Sequence, residues 1–279
     1  MKSRWHYLLG RILTLRNWYL FVPPFSRIWK TNRIATMWNG VRFEMRDIGG
    51  SDFFIFMEIA WENIYKLERI RNPKVVLDLG ANIGIFSLIV AKKFPCATVY
   101  AVEPEEGNYR QLLKNIRLSN LKNIVPIYAA IGTEKGKTTL YIDETNHGTH
   151  STLPFKAKRT QQVDVITFAD IPPFDVLKCD IEGAEYEIFK KAPSCNYIGI
   201  EVHGEDREAR KEFLSRFPLY SKEEGDHNSF VMQPRQECVS LQMRHWTQKP
   251  LRMEGMCTET RYWCRWGWRA LRRVAQVLQ

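Results

Sequence analysis

Residues 75–104 decide the fold, and they read VVLDLGANIGIFSLIVAKKFPCATVYAVEP. The run from Val75 to Leu77 is apolar without alternation, which is typical of a strand buried on both faces of a parallel sheet. A turn over 78–84 follows, where glycine lets the backbone bend tightly beside a ligand. A mostly apolar helix over 85–94 and a β-branched, aromatic strand over 98–102 complete the unit. This order indicates half of a doubly wound nucleotide-binding domain.

The acid that ends the second strand indicates which nucleotide such a domain would bind. Glu103 lies 23 positions after Gly80, close to the roughly 20-residue spacing at which a carboxylate reaches ribose hydroxyls. The turn reads G-A-N-I-G rather than GxGxxG, and Asp78 precedes its first glycine. An acid at the mouth of the turn suits a cationic or zwitterionic ligand better than a pyrophosphate. Because S-adenosylmethionine carries an ammonium and a sulfonium, the pattern favours a methyltransferase over NAD binding.

Positive charge is concentrated toward the two ends of the 279-residue chain. The net charge is +10, with nine Lys and Arg against two acids in residues 1–50 and nine against three in 235–279, whereas 51–234 is mildly acidic. Eight of the nine tryptophans also lie in the two end segments. Basic residues interleaved with aromatic ones suit a membrane surface or nucleic acid, and they also suit packing against the chain's own domain.

Cysteine usage and hydropathy predict a cytoplasmic protein. The six cysteines show neither a CxxC motif nor regular spacing, which favours reduced thiols. No stretch approaches the roughly 18 apolar residues of a membrane span, and Arg11 and Arg16 interrupt the N-terminus before a signal-peptide core forms. We expect a cytoplasmic location, with peripheral contact at the inner membrane face through the basic ends as the accompanying hypothesis.

The pattern along the chain predicts three segments: a basic aromatic N-terminal extension (1–40), an α/β domain (41–234) and a basic Trp-rich C-terminal extension (235–279). The first contains a helix that Pro23-Pro24 ends. Residues 36–46 alternate enough for a strand or for a hairpin with Asn39-Gly40 as its turn. A long helix over 53–71 precedes the first sheet strand. Further strands are predicted over 124–130, 138–142, 162–168, 175–180, 197–202 and 229–232, and further helices over 105–118, 184–191 and 205–217.

A second cluster of polar residues, Lys178 to Glu185, reads KCDIEGAE and follows the fourth parallel strand. Ligands of open α/β sheets bind at such carboxyl ends, beside the first strand. Crowded like charges raise one another's pKa, which is one way to make a general base. Glu182 and Glu185 also sit where acids favour a helix dipole, so function and helix capping stay open for Glu185. For Asp180 and Glu182 the chemistry favours function.

These motifs together resemble the FkbM-type family of S-adenosylmethionine-dependent methyltransferases. The resemblance covers roughly residues 44–234 and rests on VVLDLGANIG, AVEPEEGNYRQLLKNI and LKCDIEGAEYEIF. It implies a Rossmann-like class I methyltransferase fold, with a seven-stranded, mostly parallel sheet, the last strand antiparallel, and helices on both faces. It also implies O-methylation of a hydroxyl on a sugar, glycolipid or polyketide-type acceptor. The cofactor-binding residues it implies are Asp78, Gly80, Ala81, Asn82, Gly84, Glu103 for the ribose and Ala129 for the adenine.

We expect the acceptor hydroxyl to lose its proton to His203 or Asp180, with Glu182 orienting the acceptor. His203 follows the fifth parallel strand, so its side chain and Asp180 should converge on one cleft. The loop 150–152 either reaches the acceptor or is an ordinary surface turn. Asp180, Glu182 and a sugar diol could share a divalent metal, but nothing in the spacing requires one, and we name no metal ligand.

Two other functions stay open. The basic ends make a nucleic-acid methyltransferase the second candidate. Enzymes that methylate bases usually grip the flipped base with a motif after the fourth strand, but here the similar sequence DIPPF (170–174) lies before that strand. Nucleic acid is therefore not the expected partner. A non-catalytic, membrane-associated module that retains the cofactor fold is the other alternative, and the oligomeric state does not follow from the sequence.

Overall fold

A computed structural model describes residues 4–21, 34–46, 50–143, 150–153, 157, 159–190, 193–204, 206–218, 220–224 and 229–234. The predicted C-terminal extension and Pro23-Pro24 lie outside the described residues. The helices are α1 (Arg4–Thr14), α2 (Ser51–Phe56), α3 (Ile85–Lys93), α4 (Glu106–Ser119), α5 (Glu185–Ile188) and α6 (Arg207–Ser215), with a π-helical segment over Met57–Glu62 and short 3-10 turns over Trp18–Phe21, Leu67–Arg69 and Phe168–Asp170. The strands are β1 (Ile34–Thr36), β2 (Arg42–Glu44), β3 (Val75–Leu79), β4 (Thr98–Val102), β5 (Ile124–Ile127), β6 (Ala130–Ile131), β7 (Gly136–Ile142), β8 (Arg159–Ile166), β9 (Val176–Cys179), β10 (Tyr197–Val202), β11 (Tyr220–Glu224) and β12 (Ser229–Pro234).

The main sheet has the strand order β11-β12-β10-β9-β3-β4-β5. From β10 to β5 all neighbours pair in parallel, whereas β12 pairs antiparallel with both β10 and β11. The Rossmann-like fold class is therefore confirmed. The main sheet has seven strands with the last one, β12, antiparallel to its neighbours, and its block of adjacent parallel strands contains five. A separate sheet of order β6-β8-β7 lies between β5 and β9 in the chain.

Each face of the main sheet has its own hydrophobic core, because successive side chains of a strand point to opposite faces. Val76 of β3 belongs to one core, together with Phe86 and Ile89 of α3, whereas Leu77 belongs to the other, with Phe213 of α6. Helices thus cover both faces, as the resemblance implies. Apolar strands without alternation form here because both faces of the strand are buried.

The register of the parallel strands sets the position of the site. Leu79, the last residue of β3, pairs with Val102 of β4 and with Cys179 of β9. The three loops that follow these residues therefore begin side by side, at the carboxyl edge of the sheet. A ligand of an open α/β sheet is expected at this edge.

Several predicted elements differ from the structure. The helix predicted over 53–71 ends much earlier, because the π-helical segment closes at Asn63, whose φ of 53° is left-handed. The helix predicted over 184–191 is only the four residues of α5. The strand predicted over 124–130 is split into β5 and β6, and β11 was not predicted at all.

The N-terminal segment contributes to the core of the described domain. Leu15, Phe21 and Ala35 are fully or almost fully buried and belong to the same core cluster as Val76. The predicted strand pair over 36–46 is present, since β1 and β2 are antiparallel neighbours and Gly40 lies in their turn with a φ of 86°. Among the described residues, no helix combines the length and the apolar character that crossing a membrane requires.

Candidate active site

A cavity of about 630 Å³ opens at the carboxyl edge of the parallel strands. This volume lies within the usual range for small-molecule sites, roughly 300–1,000 Å³. Its walls come from the loops after β3, β4, β9 and β10, from the loop near residue 150, and from α2 with the π-helical segment. The lining residues used below are Phe54, Glu58, Gly80, Ala81, Asn82, Glu103, Ala129, His150, Thr152, Lys178, Asp180, Glu182, Glu201 and His203.

The glycine turn after β3 brings its backbone against the loop after β9. Gly80 has a φ of 70°, and a Cβ built there would lie 1.8 Å from the carbonyl oxygen of Asp180. The amides of Gly80 and Ala81 both donate to the Val102 carbonyl, at 3.1 and 3.0 Å. Asn82 is left-handed, with a φ of 51°, a conformation that asparagine tolerates better than most residues. This explains why asparagine can stand where related motifs have glycine.

Glu103 connects the glycine turn to the end of β4. Its carboxylate accepts hydrogen bonds from the Asn82 amide at 2.7 Å and from the Glu105 amide at 2.9 Å. Burial raises the pKa of Glu103 to about 7, although these two backbone donors favour the ionised form. The carboxylate lines the cavity beside the turn, where it can accept hydrogen bonds from ribose hydroxyls.

Two of the predicted cofactor residues lie behind the cavity wall. The Asp78 side chain is fully buried, accepts a hydrogen bond from the Ser87 hydroxyl at 2.6 Å and lies 3.3 Å from Lys178 Nζ. Gly84 has a φ of 93°, and a Cβ there would lie 2.5 Å from a Leu112 methyl group. Their positions indicate a structural contribution, because neither residue lines the cavity.

Lys178 is a site residue that the sequence interpretation missed. Its ammonium is almost completely buried and donates to the carbonyls of Gly80, at 2.6 Å, and Leu79. Burial would lower the pKa of Lys178, but the charges of Asp78 and Asp180 outweigh that effect and raise it. This lysine therefore connects β9 to the glycine turn through hydrogen bonds. The sequence feature that could have indicated its role is a lysine within an otherwise apolar strand.

The predicted catalytic residues meet around the imidazole of His203. Its Nδ1 lies 3.1 Å from Oε1 of the buried Glu185, and its Nε2 lies 3.6 Å from Glu182 Oε2 and 3.7 Å from Asp180 Oδ1. Glu201, at the end of β10, has a carboxylate oxygen 3.7 Å from the same Nε2. Four acids thus surround one histidine.

Crowding shifts the protonation of this cluster. Burial raises the pKa of Glu182 to about 8 and that of Glu201 to about 8, and the charge of Asp180 adds to both shifts. Burial alone would lower the pKa of His203, but the hydrogen bond to Glu185 and the nearby acids raise it to about 10. At neutral pH His203 is therefore an imidazolium, while Glu182 and Glu201 are mostly protonated and able to donate hydrogen bonds.

The loop near residue 150 forms the cavity rim beside this cluster. His150 and Thr152 line the cavity. Between them, the Ser151 hydroxyl donates to the Glu182 carbonyl at 2.7 Å. Ser151 also joins Tyr141 in an isolated β-bridge. The loop is thus attached to both β7 and the turn after β9.

The wall formed by α2 and the π-helical segment combines a ring face with a carboxylate. Phe54 and Glu58 line the cavity and are exposed, whereas the neighbouring Phe53 and Phe56 are buried in the core. Insertion of a π-helical turn rotates side chains relative to a regular helix, and such turns are frequent at functional sites. The charge of Glu58 contributes to the raised pKa of Glu201, after burial and Asp180. Glu62 and Tyr65, further along the chain, do not line the cavity.

The cavity residues fit a nucleoside with a positively charged sulfur. Gly80, which lies against the Asp180 carbonyl, has no side chain that would occupy the cavity. The Glu103 carboxylate offers hydrogen-bond acceptors for the two hydroxyls of a ribose. Ala129 is small and buried at the cavity wall, which leaves room for a flat base. The acids of the cluster suit a cationic ligand.

The cluster also has the spacing of a metal site. Asp180, Glu182 and His203 each offer a ligand atom within 4.8 Å of the others. A histidine binds a metal only in its unprotonated form, so a metal would have to displace the proton that the surrounding acids favour on His203.

The strand order, the glycine turn and the acid after β4 define a nucleotide-binding domain of the class I methyltransferase type. The chain belongs to the methyltransferase FkbM domain family, whose model matches residues 78–227, more than half of the chain. The predicted family is thereby confirmed, and with it the class of S-adenosylmethionine-dependent methyltransferases and their cofactor.

Three curated relatives carry methyltransferase names. Methyltransferase 1 of Beauveria bassiana (strain ARSEF 2860) is 28% identical over 164 residues, which cover 49% of this chain and 66% of that protein. Methyltransferase sdnD of Sordaria araneosa is 27% identical, covering 49% and 67%. Hexuronic acid methyltransferase AglP of Haloferax volcanii is 25% identical, covering 55% and 66%. The matched region thus spans about two thirds of the length of these relatives.

Proposed function

We propose that this chain is an S-adenosylmethionine-dependent O-methyltransferase that acts on a hydroxyl of a sugar, glycolipid or polyketide-type acceptor. The observation that carries the proposal is the shared cavity: the glycine turn, Glu103 and the acidic cluster around His203 all line it. When bound, S-adenosylmethionine supplies an electrophilic methyl group. Gly80, Ala81, Asn82, Glu103 and Ala129 would hold it.

The acidic cluster suits removal of a proton from the acceptor. A hydroxyl is a poor nucleophile while protonated, and a positioned base typically contributes roughly 10²–10⁴-fold in rate. Of the two candidate bases, the structure favours Asp180, because His203 is already protonated at neutral pH. Glu182, protonated by its crowding, can donate a hydrogen bond that orients the acceptor. The imidazolium of His203 stabilises the negative charge that develops on the acceptor oxygen.

The wall beside the cluster supports a ring-shaped, neutral acceptor. Phe54 presents an exposed aromatic ring to the cavity, and Glu58 stands one helical turn further on. Such a pair can contact the apolar face of a sugar and accept hydrogen bonds from its hydroxyls. The relative named hexuronic acid methyltransferase lends support to a sugar acceptor. Glu58, on the same wall, favours a neutral sugar over one with a carboxylate, because like charges repel.

Substituting the proposed base tests this function. The assay measures S-adenosylhomocysteine formed from S-adenosylmethionine with a panel of neutral methyl hexopyranosides and simple polyketide phenols. Asp180→Asn should lower kcat by roughly 10²–10⁴-fold and leave cofactor binding intact. The control is Asp164→Asn, because Asp164 is an exposed acid on β8 that pairs with Lys137. Undiminished turnover by Asp180→Asn would remove Asp180 from this role. Isothermal titration without heat on adding S-adenosylmethionine would instead favour the non-catalytic module.

We further propose peripheral contact with the inner membrane face, consistent with a cytoplasmic location. Arg16 and Arg42 are exposed and both adjoin Thr36, the first through a backbone hydrogen bond and the second through strand pairing. Trp38, in the turn of the same strand pair, is 37% exposed. Arginine beside an exposed tryptophan suits an anionic membrane surface.

Point substitutions test this contact better than a deletion of residues 1–40, which would remove the buried side chains of Leu15 and Phe21 from the core. Co-sedimentation is measured with vesicles of phosphatidylcholine that contain phosphatidylglycerol. The double variant Arg16→Glu with Arg42→Glu should pellet less than the wild-type chain. Equal pelleting would remove this face from the membrane hypothesis.

A further inference from the structure

Glu185 is the acid of the second motif for which helix capping and function both stayed open. It is the first residue of α5 and is completely buried. Its carboxylate accepts from an amide that precedes α5 rather than from an amide of the helix itself. Oε1 accepts from the Ile181 amide at 3.2 Å and lies 3.1 Å from His203 Nδ1.

We propose that Glu185 is a positioning residue that orients the His203 imidazole, so that Nε2 faces the acceptor side of the cavity. With Nδ1 held by Glu185, Nε2 is the nitrogen left to face the other acids. It lies 3.6 Å from Glu182 and 3.7 Å from Asp180, both cavity residues. A carboxylate on one imidazole nitrogen fixes which nitrogen serves the reaction.

The surroundings of Glu185 indicate that stability alone does not explain it. Its Oε2 is buried and finds no hydrogen-bond partner among the described residues. A buried carboxylate oxygen without a protein partner is costly, so its presence calls for an explanation other than stability. Its charge is also added to a site that already holds Asp180, Glu182 and Glu201. His203 is the group that the Glu185 carboxylate contacts, and the contact stabilises the charged form of its imidazole.

The local backbone explains how the carboxylate reaches His203. Glu182 has a φ of 54° and Gly183 a φ of 103°, so the chain reverses between β9 and α5. This reversal brings the first turn of α5 back over the end of β10, where His203 follows. The acids that face His203 therefore come from three places: α5, the loop after β9, and β10 itself.

The test uses nitrogen-15 NMR of the histidine rings in the full chain. The His203 signals are assigned by their loss in His203→Gln. In Glu185→Gln the amide oxygen can still accept from Ile181, so the fold is kept while the charge is lost. We expect the pH at which the His203 ring titrates to fall by at least about one unit, a tenfold change in its protonation equilibrium. Glu187→Gln is the matched control, since Glu187 is an exposed acid on the same helix.

Unchanged His203 signals in a folded Glu185→Gln variant would overturn the proposal, as would an equal shift in the control. If Glu185→Gln does not fold, the wild-type spectrum decides: a slowly exchanging Nδ1 proton is expected, and its absence overturns the assignment. The catalytic meaning rests on the proposed function, for which Glu185→Gln should lower kcat at least about tenfold with unchanged cofactor affinity. The NMR result stands apart from turnover, so the two ideas can fail separately.

Discussion

Replacing Gly80 with alanine separates two demands that the turn after β3 makes on this residue. The left-handed φ of 70° strains any residue with a Cβ, at about 1–2 kcal/mol. The added Cβ would also lie 1.8 Å from the Asp180 carbonyl oxygen, whereas real Cβ atoms essentially never come closer than 3.0 Å to another atom. The ends of β3 and β9 must therefore separate by the difference between these distances, about 1 Å.

The backbone contact adds to the strain. Overpacking in a tight region typically costs about 1–3 kcal/mol, so Gly80→Ala should lower the free energy of unfolding by about 2–5 kcal/mol in all. Gly40→Ala is the matched control, because Gly40 has a similar φ of 86° and a Cβ there would meet no atom within 4 Å. That variant should lose only the strain, about 1–2 kcal/mol.

Urea unfolding measures the two stabilities, and isothermal titration measures the affinity for S-adenosylmethionine. Because Gly80 and Asp180 both line the cavity, Gly80→Ala should raise the Kd at least about tenfold, as expected for a displacement of about 1 Å. Gly40→Ala should leave the Kd unchanged. Wild-type affinity in Gly80→Ala, or an equal loss of stability in both variants, would contradict a backbone contact at Gly80 that shapes the cavity.

Three further predictions follow from the site. Glu103→Gln should weaken S-adenosylmethionine binding roughly 10–100-fold, the loss expected for hydrogen bonds to a charged group, whereas the exposed Glu106→Gln should not; equal titration curves would contradict the ribose role. Glu182 and Glu201 have folded pKa values of about 8, above the ordinary value of 4.5, so the folded chain binds more protons than the unfolded chain between these values. The free energy of unfolding should accordingly fall as pH rises from 5 to 8, by about 1.4 kcal/mol per pH unit for each extra proton. Urea titrations at several pH values measure this slope, and Glu182→Gln should make it less steep. A slope that the variant leaves unchanged would contradict the raised pKa of Glu182. Excess EDTA should leave methyl transfer unchanged, because the proposed mechanism assigns proton removal to Asp180 and charge stabilisation to His203 without an ion. A loss of activity that Mn²⁺ restores would instead assign a metal to Asp180, Glu182 and His203.

The part of the fold that local pattern decides was predictable. The strands over 98–102 and 197–202 have the predicted bounds, because each is a β-branched or apolar run between turn residues. The helix predicted over 53–71 was wrong beyond Glu62, since its apolar spacing continues past the point where Asn63 turns left-handed. No glycine or proline marks that point. The π-helical turn owes its place to packing against the domain.

The sequence predicted which loops after the strands would form the site. It did not predict which of the charged side chains there would be buried. Asp180 and Glu182 meet His203 because parallel strands end at one edge of the sheet. The protonation of His203 could not be read from the sequence, because it depends on Glu185 of α5 and on Asp180 and Glu182 of the loop after β9. The contributions of Glu185 and Lys178 to the site were underestimated for the same reason. Charged residues are usually exposed, and the burial of these two did not follow from the sequence.

Hydrogen exchange on the wild-type chain tests whether three segments surround one S-adenosylmethionine molecule. These are the turn over 80–84, the loop over 103–105 and the loop over 180–182. Adding S-adenosylmethionine at a concentration near the wild-type Kd should slow amide exchange in all three segments together, with a smaller effect in Gly80→Ala at the same concentration. Unchanged exchange, or slowing confined to segments elsewhere in the chain, would contradict the account.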